Sequence, residues 1–191
     1  GGNLSFVSVT KDSAKIYEAS SRDSKVIGSA DWMTPYVVIK IQRDGSMQML
    51  KVGKYVSGDE AEVIGWIRKR DLLTSVNALK EQGVYVKAFP VTRFDDKEDK
   101  VEGAKCFPEP SSEGTPIGQE LTQFGIYYVF DEFVDHSKKG KYFLMGRESS
   151  IFDPQKPGGT IMGWVHDRRM HRWDTREAAE YDKSTIAERK P

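Results

Sequence analysis

The chain has 191 residues, and its 29 basic and 29 acidic side chains cancel to a formal net charge of zero. That balance argues against a dedicated nucleic-acid binder, which carries a strong basic bias, and no apolar run nears the ~20 residues of a membrane span. Cys106 is the single cysteine, so no internal disulfide can form, and the length suits one or two domains with cores of their own.

In chain order, the first half reads as short strands: "LSFVSVT" (4–10), "AKIY" (14–17), "YVVIKI" (36–41), "MQMLKV" (47–52) and "VIGWI" (63–67) are rich in β-branched and aromatic residues. Between them lie "SSRDS", "QRDGS" and "VSGDEA", which carry turn chemistry. The second half repeats the alternation with "GVYVKAF", "AKCF", "IYYVF", "KYFLM" and "IMGWV", spaced by turns that include "FDDKEDKVEG" and "SSIFDPQKPGG". Helical periodicity is scarce before residue 173. The basic runs "IRKR" (67–70) and "HDRRMHR" (166–172) read as solvated turns after strands, with a contact role as the alternative.

The two halves correspond to one another. "AKIYEASSRDSKVIG" at 14–28 aligns without gaps to "AKCFPEPSSEGTPIG" at 104–118, an offset of 90. "YVVIKI" then matches "IYYVFD" (126–131), "MLKVG" (49–53) matches "YFLMG" (142–146) at an offset of 93, and "IGWI" (64–67) matches "MGWV" (162–165) at 98. Four matches in order, drifting as loop insertions would make them drift, predict an all-β chain of two tandem small antiparallel barrels with a short C-terminal helix. The expected boundaries are 1–76 for the first barrel, 77–83 for a linker, 84–172 for the second barrel and 173–191 for a helical tail.

The phrases "KIYEASSRDSKVIG … MLKVG … IGWIRKRDLL" and "KCFPEPSSEGTPIG … MGWVHDRRM" resemble the bacterial SH3-like (SH3b) family, whose units close on a "G-W-V" strand. The resemblance runs over most of residues 5–172. It implies SH3-like barrels that bind peptidoglycan or a protein partner in a bacterial envelope or periplasm. The family often has an aromatic, commonly Trp, opening the strand before the last turn; this chain has Met47 or Met49 there in the first copy and Tyr142 in the second. The groove is therefore expected to be least complete in the first barrel.

A Gly before each Trp lets the closing strand approach its neighbour without a Cβ, and Trp66 and Trp164 then plug barrels of about 60 residues, a size that struggles to build a core. Both are expected to be structural. Cys106 stands where the first copy has Ile16, a core position, so it reads as a small hydrophobe, with no neighbouring His to activate it. His166 and His171 are five apart, which misses one helical face, and His136 sits in the charged loop "DHSKKGK"; all three read as surface histidines. "KPGGT" (156–160) lacks the Lys-Ser/Thr ending of a phosphate loop and reads as a hairpin turn. No catalytic residue, metal site or cofactor is expected. Trp32, Tyr55 and Phe152 are the candidate ligand contacts, because aromatics in polar loops suit stacking on sugars or holding peptides. Packing of these rings within the protein is the competing reading.

In "RWDTREAAEYDKSTIAERKP", Asp174 followed by Glu177 predicts a capped helix to Arg189, with Trp173 pinning its start. Its apolar face is thin. The chain opens without Met and ends without a finishing signal, so a longer parent is expected on both sides. The stretch "GWVHDRRMHRWDTREAAEYD" is similar to type VI secretion-associated envelope proteins that carry a von Willebrand A-type domain, which implies a structural part of a secretion apparatus. A third expectation is the targeting region of a cell-wall hydrolase whose catalytic domain lies outside this chain.

Overall fold

The computed structural model describes residues 4–86, 104–111, 113–122, 125–137, 140–155, 159–173 and 175–189. The predicted turn at 94–103, the end of "GVYVKAF", residues 156–158 of "KPGGT" and the predicted cap Asp174 lie outside them. The described chain is all-β apart from one C-terminal helix and two 3₁₀ turns. It divides into two compact units, Gly1–Ala78 with Ser149–Ile161, and Leu79–Glu148 with Met162–Pro191.

The first unit holds strands β1 (Phe6–Val9), β2 (Lys15–Tyr17), β3 (Val26–Ser29), β4 (Pro35–Asp44), β5 (Met47–Ser57), β6 (Glu60–Arg68) and β7 (Leu72–Leu73). They form one curled antiparallel sheet in the order β3-β2-β6-β5-β4-β1-β7. A bulge between Val38 and Lys40 bends the β4–β5 pair, which is how a short sheet curls over its own core. Val9, Tyr36, Leu50, Val52 and Ile67 fill that core.

The second unit holds β8 (Lys80–Val86), β9 (Ala104–Cys106), β10 (Ile117–Leu121), β11 (Gly125–Asp135), β12 (Gly140–Gly146), β13 (Ile161–His166) and β14 (Met170–Trp173), followed by α1 (Arg176–Arg189). The order is β13-β12-β11-β8-β14, with β10-β9 beside it. A backbone bridge from Phe107 to Trp164 joins β9 to β13, as Tyr17 and Trp66 join β2 to β6. The pairing order of the first unit is thus repeated strand for strand. The bulge returns between Val129 and Asp131, and Cys106, Leu121, Val129, Phe143, Met145 and Val165 make the core.

The register refines the sequence alignment. Asp31 donates its N–H to the Tyr36 hydroxyl at 2.7 Å, and Thr122 donates its N–H to the Tyr127 hydroxyl at 2.8 Å. These partners stand 91 apart, not 90, because a register shift between Ile117 and Glu120 takes up one extra residue.

Two boundaries differ from expectation. Within the predicted linker 77–83, residues from Lys80 onward belong to β8, which pairs with β11 on one side and β14 on the other. A charged, Gly-containing run reads as a loop by composition, but backbone pairing on both edges overrides that bias. The stretch Ser149–Ile161, read as a turn of the second barrel, belongs to the first unit: Asn77 bridges Ser150, and the Ile151 N–H donates to the Val76 carbonyl at 3.0 Å. In the tail, the Ala178 N–H donates to Thr175 Oγ1 at 3.1 Å, so Thr175 caps α1. Trp173 Nε1 donates to Asp182 at 2.5 Å, and Arg176 reaches Glu81 at 2.8 Å, which holds a helix whose buried anchor is Ala179.

Candidate functional site

Ile16, Trp66, Cys106 and Trp164 are all buried, with Cys106 fully enclosed. Burial pushes its thiol up to about 12, and the charge of Glu120 adds to that. Such a group is neutral at physiological pH and is no nucleophile. Gly65 and Gly163, before the two Trp residues, adopt φ of 138° and 137°.

The three aromatic candidates are differently placed. Trp32 is half-buried and packs against the first core, where its Nε1 is enclosed and meets no acceptor. Tyr55 lies within strand β5, not in a loop. Phe152 stacks on Phe6 with ring centres 3.8 Å apart and planes 16° apart, and Tyr55 meets its edge at 4.9 Å. These rings are occupied with one another.

The two units part company where the closing strand enters its 3₁₀ turn. In the first, Arg68 ends β6 and lies with its guanidinium 5.9 Å from the centre of the Tyr17 ring. Its Nε donates to Asp71 at 3.3 Å, and Lys11 approaches the same buried carboxylate at 3.6 Å. Cation, ring and carboxylate lock that corner.

In the second unit His166 stands at the place of Arg68 and Arg169 at that of Asp71, both 98 residues on. Tyr142 takes the place of Met49. The edge of the Tyr142–His166 pair is nearly perpendicular, at 4.8 Å and 86°. His166 Nδ1 accepts the Arg168 N–H at 3.0 Å and so caps the turn Asp167–Arg169. Gly140 leaves room for the imidazole: a Cβ there would lie 2.7 Å from Nε2. The result is an open corner with two hollows. One, of about 370 Å³, is lined by Asp135, His136, Gly140, Lys141, His166 and Arg168 among others. The second, of about 280 Å³, lies over Tyr142, with Ser111, Glu113 and Arg169. His166, Asp135 and Arg168 border both.

Partial burial, then the nearby charges of Arg168 and Arg169, hold the His166 imidazole below its ordinary pKa, against the opposing charge of Asp167. With Nδ1 accepting, the neutral ring carries its proton on Nε2. A neutral imidazole, two guanidiniums and an aromatic edge suit recognition of a polar chain. Among the described residues no group of three or more His, Cys, Asp or Glu is placed to hold a metal ion, and no helix is long and apolar enough to cross a membrane.

No family model matches the chain, and no curated protein matches it. A solved structure described as a candidate autolysin from Listeria monocytogenes is similar over 92% of this chain, with 13% identity and a TM-score of 0.30. The chain spans 65% of that structure's length. A likeness at this score does not establish a shared fold.

His136 is exposed and His166 half-buried, and both line the larger hollow. The legible signal was the exchange between copies: Arg68 with Asp71 is a pair of opposite charge, whereas His166 with Arg169 is not.

Proposed function

We propose that this chain is a non-catalytic tandem SH3-like module, the binding or docking region of a bacterial cell-envelope protein, whose second unit holds a peptide of the wall polymer in the hollows beside Tyr142 and His166. The observation that carries this reading is the divergence at one corner of two otherwise equivalent sheets. A duplication keeps its scaffold for packing; a corner sealed by Arg68, Tyr17 and Asp71 in one copy and opened in the other is where selection for a ligand leaves its mark. The SH3b-like phrases in the sequence support the envelope setting. The inert thiol of Cys106 supports a binding role over a hydrolytic one.

Sedimentation of the purified chain with insoluble peptidoglycan tests it. The wild type should pellet with the polymer and release no soluble fragments. The double variant His166→Ala, Arg168→Ala should stay in the supernatant while keeping its far-ultraviolet dichroism. A wild type that never pellets would favour the secretion-apparatus role instead, and fragment release would favour a wall hydrolase.

A further inference from the structure

We infer that the larger hollow of the second unit receives the terminal carboxylate of a short peptide, bound by His166 Nε2–H and the Arg168 guanidinium. This rests on the reading of the second unit as the binding unit, and it adds the chemical group recognised. Three observations lead to it. First, two of the other charges that line the hollow have partners on the protein: Asp135 Oδ1 accepts from the Ser137 N–H at 3.0 Å and its hydroxyl at 2.7 Å, and Lys141 pairs with Glu132 at 3.3 Å. Among the described residues no partner stands against the Arg168 guanidinium or His166 Nε2, which border the same hollow. Second, the tautomer is fixed from inside the protein. Because Nδ1 is used on the turn, Nε2 is a donor, and Gly140 keeps the space beside it open.

Third, the first unit shows what completes such a corner. There a carboxylate, that of Asp71, is supplied from within the chain and receives both Arg68 and Lys11. The second unit has His166 at the place of Arg68 and Arg169 where the carboxylate stood, with Arg168 beside them. A guanidinium with an imidazole N–H offers a carboxylate charge-assisted hydrogen bonds to both oxygens. Tyr142, which packs edge-on against His166 and lines the second hollow, then flanks the residue that precedes the terminus.

The experiment is a titration of the full chain, followed by its amide and imidazole NMR resonances, with four acetylated tripeptides. They end in D-alanine or L-alanine, each as the free acid or as the C-terminal amide. A free acid should shift the His166 and Arg168 resonances, and its amide should bind about ten- to a hundredfold more weakly, the loss expected for a charged hydrogen bond. Arg168→Gln should bring acid and amide together while leaving the spectrum otherwise folded. Preference for the D-ending acid agrees with a wall peptide. Preference for the L-ending acid keeps the carboxylate inference but replaces the wall polymer with a protein terminus. Equal binding of acid and amide at the same resonances overturns the inference and leaves the hollow as a peptide site. No shift from any of the four, with peptidoglycan still pelleting the chain, overturns the inference and the hollow as a peptide site, and leaves wall binding to another surface.

Discussion

Gly65 and Gly163 hold the same backbone conformation, and each faces the carbonyl of an equivalent aromatic residue. A Cβ on Gly65 would lie 2.9 Å from the Tyr17 oxygen and 2.6 Å from Ile16 Cγ2; on Gly163 it would lie 2.8 Å from the Phe107 oxygen and 3.0 Å from Cys106 Cβ. The closing strand is thereby drawn onto β2 in one unit and onto β9 in the other, with no side chain between the backbones.

Either glycine changed to Ala should therefore be costly twice over, through a positive φ that L-residues resist and through contact with backbone that cannot move aside. The expected loss is about 2–4 kcal/mol for each variant, read as a lowered urea midpoint. Gly114, which meets nothing within 4 Å, is the control, and its Ala variant should unfold with the wild type.

Phe152 gives a prediction of a different kind. Its stack on Phe6 joins the segment after β12 to the first unit. Phe152→Ala should cost about 1–3 kcal/mol for a half-buried stacked ring. It should leave retention on peptidoglycan unchanged at temperatures where the protein remains folded. Loss of retention without loss of stability would return this ring to the ligand contacts.

Cys106 should resist alkylation. Moving a thiol from the ordinary 9.0 to about 12 lowers its thiolate fraction about a thousandfold at neutral pH, and full burial blocks access besides. Iodoacetamide labelling should be negligible in native buffer and complete in urea. Rapid native labelling would show that the core of the second unit opens easily.

The strands were legible because small sheets are written in β-branched runs between turn residues, and the repeated pairing order of those strands follows the sequence in which "IGWI" and "MGWV" each enter a 3₁₀ turn. Thr175 was missed as the helix cap because Asp174 offers the same chemistry one residue earlier. The place of Ser149–Ile161 was not legible, since Ile151 and Phe152 fit either core by composition and only their long-range partners decide. The open corner was half legible. Tyr142 stands at an aromatic position of the family that the sequence resembles, but His166 alone looks like any surface histidine until Arg68 and Asp71 are seen locking its counterpart.

His166 gives the last prediction, a dependence of stability on pH. Its folded pKa lies below the ordinary 6.5, chiefly through burial. Between the folded value and 6.5 the unfolded chain binds more protons, so stability rises with pH in that window. The contribution is complete above 6.5 and is lost as pH falls through the folded value. Protonation also converts Nδ1 from acceptor to donor, which removes the cap on Asp167–Arg169 and places a third cation beside Arg168 and Arg169. Replacing His166 by Gln keeps a polar side chain that does not titrate. Urea midpoints at pH 7.5 and pH 5.0 should therefore fall further for the wild type than for His166→Gln. Parallel falls would mean that the imidazole is exposed enough to titrate as it does in the unfolded chain, and the cap would then contribute nothing to the shape of this corner.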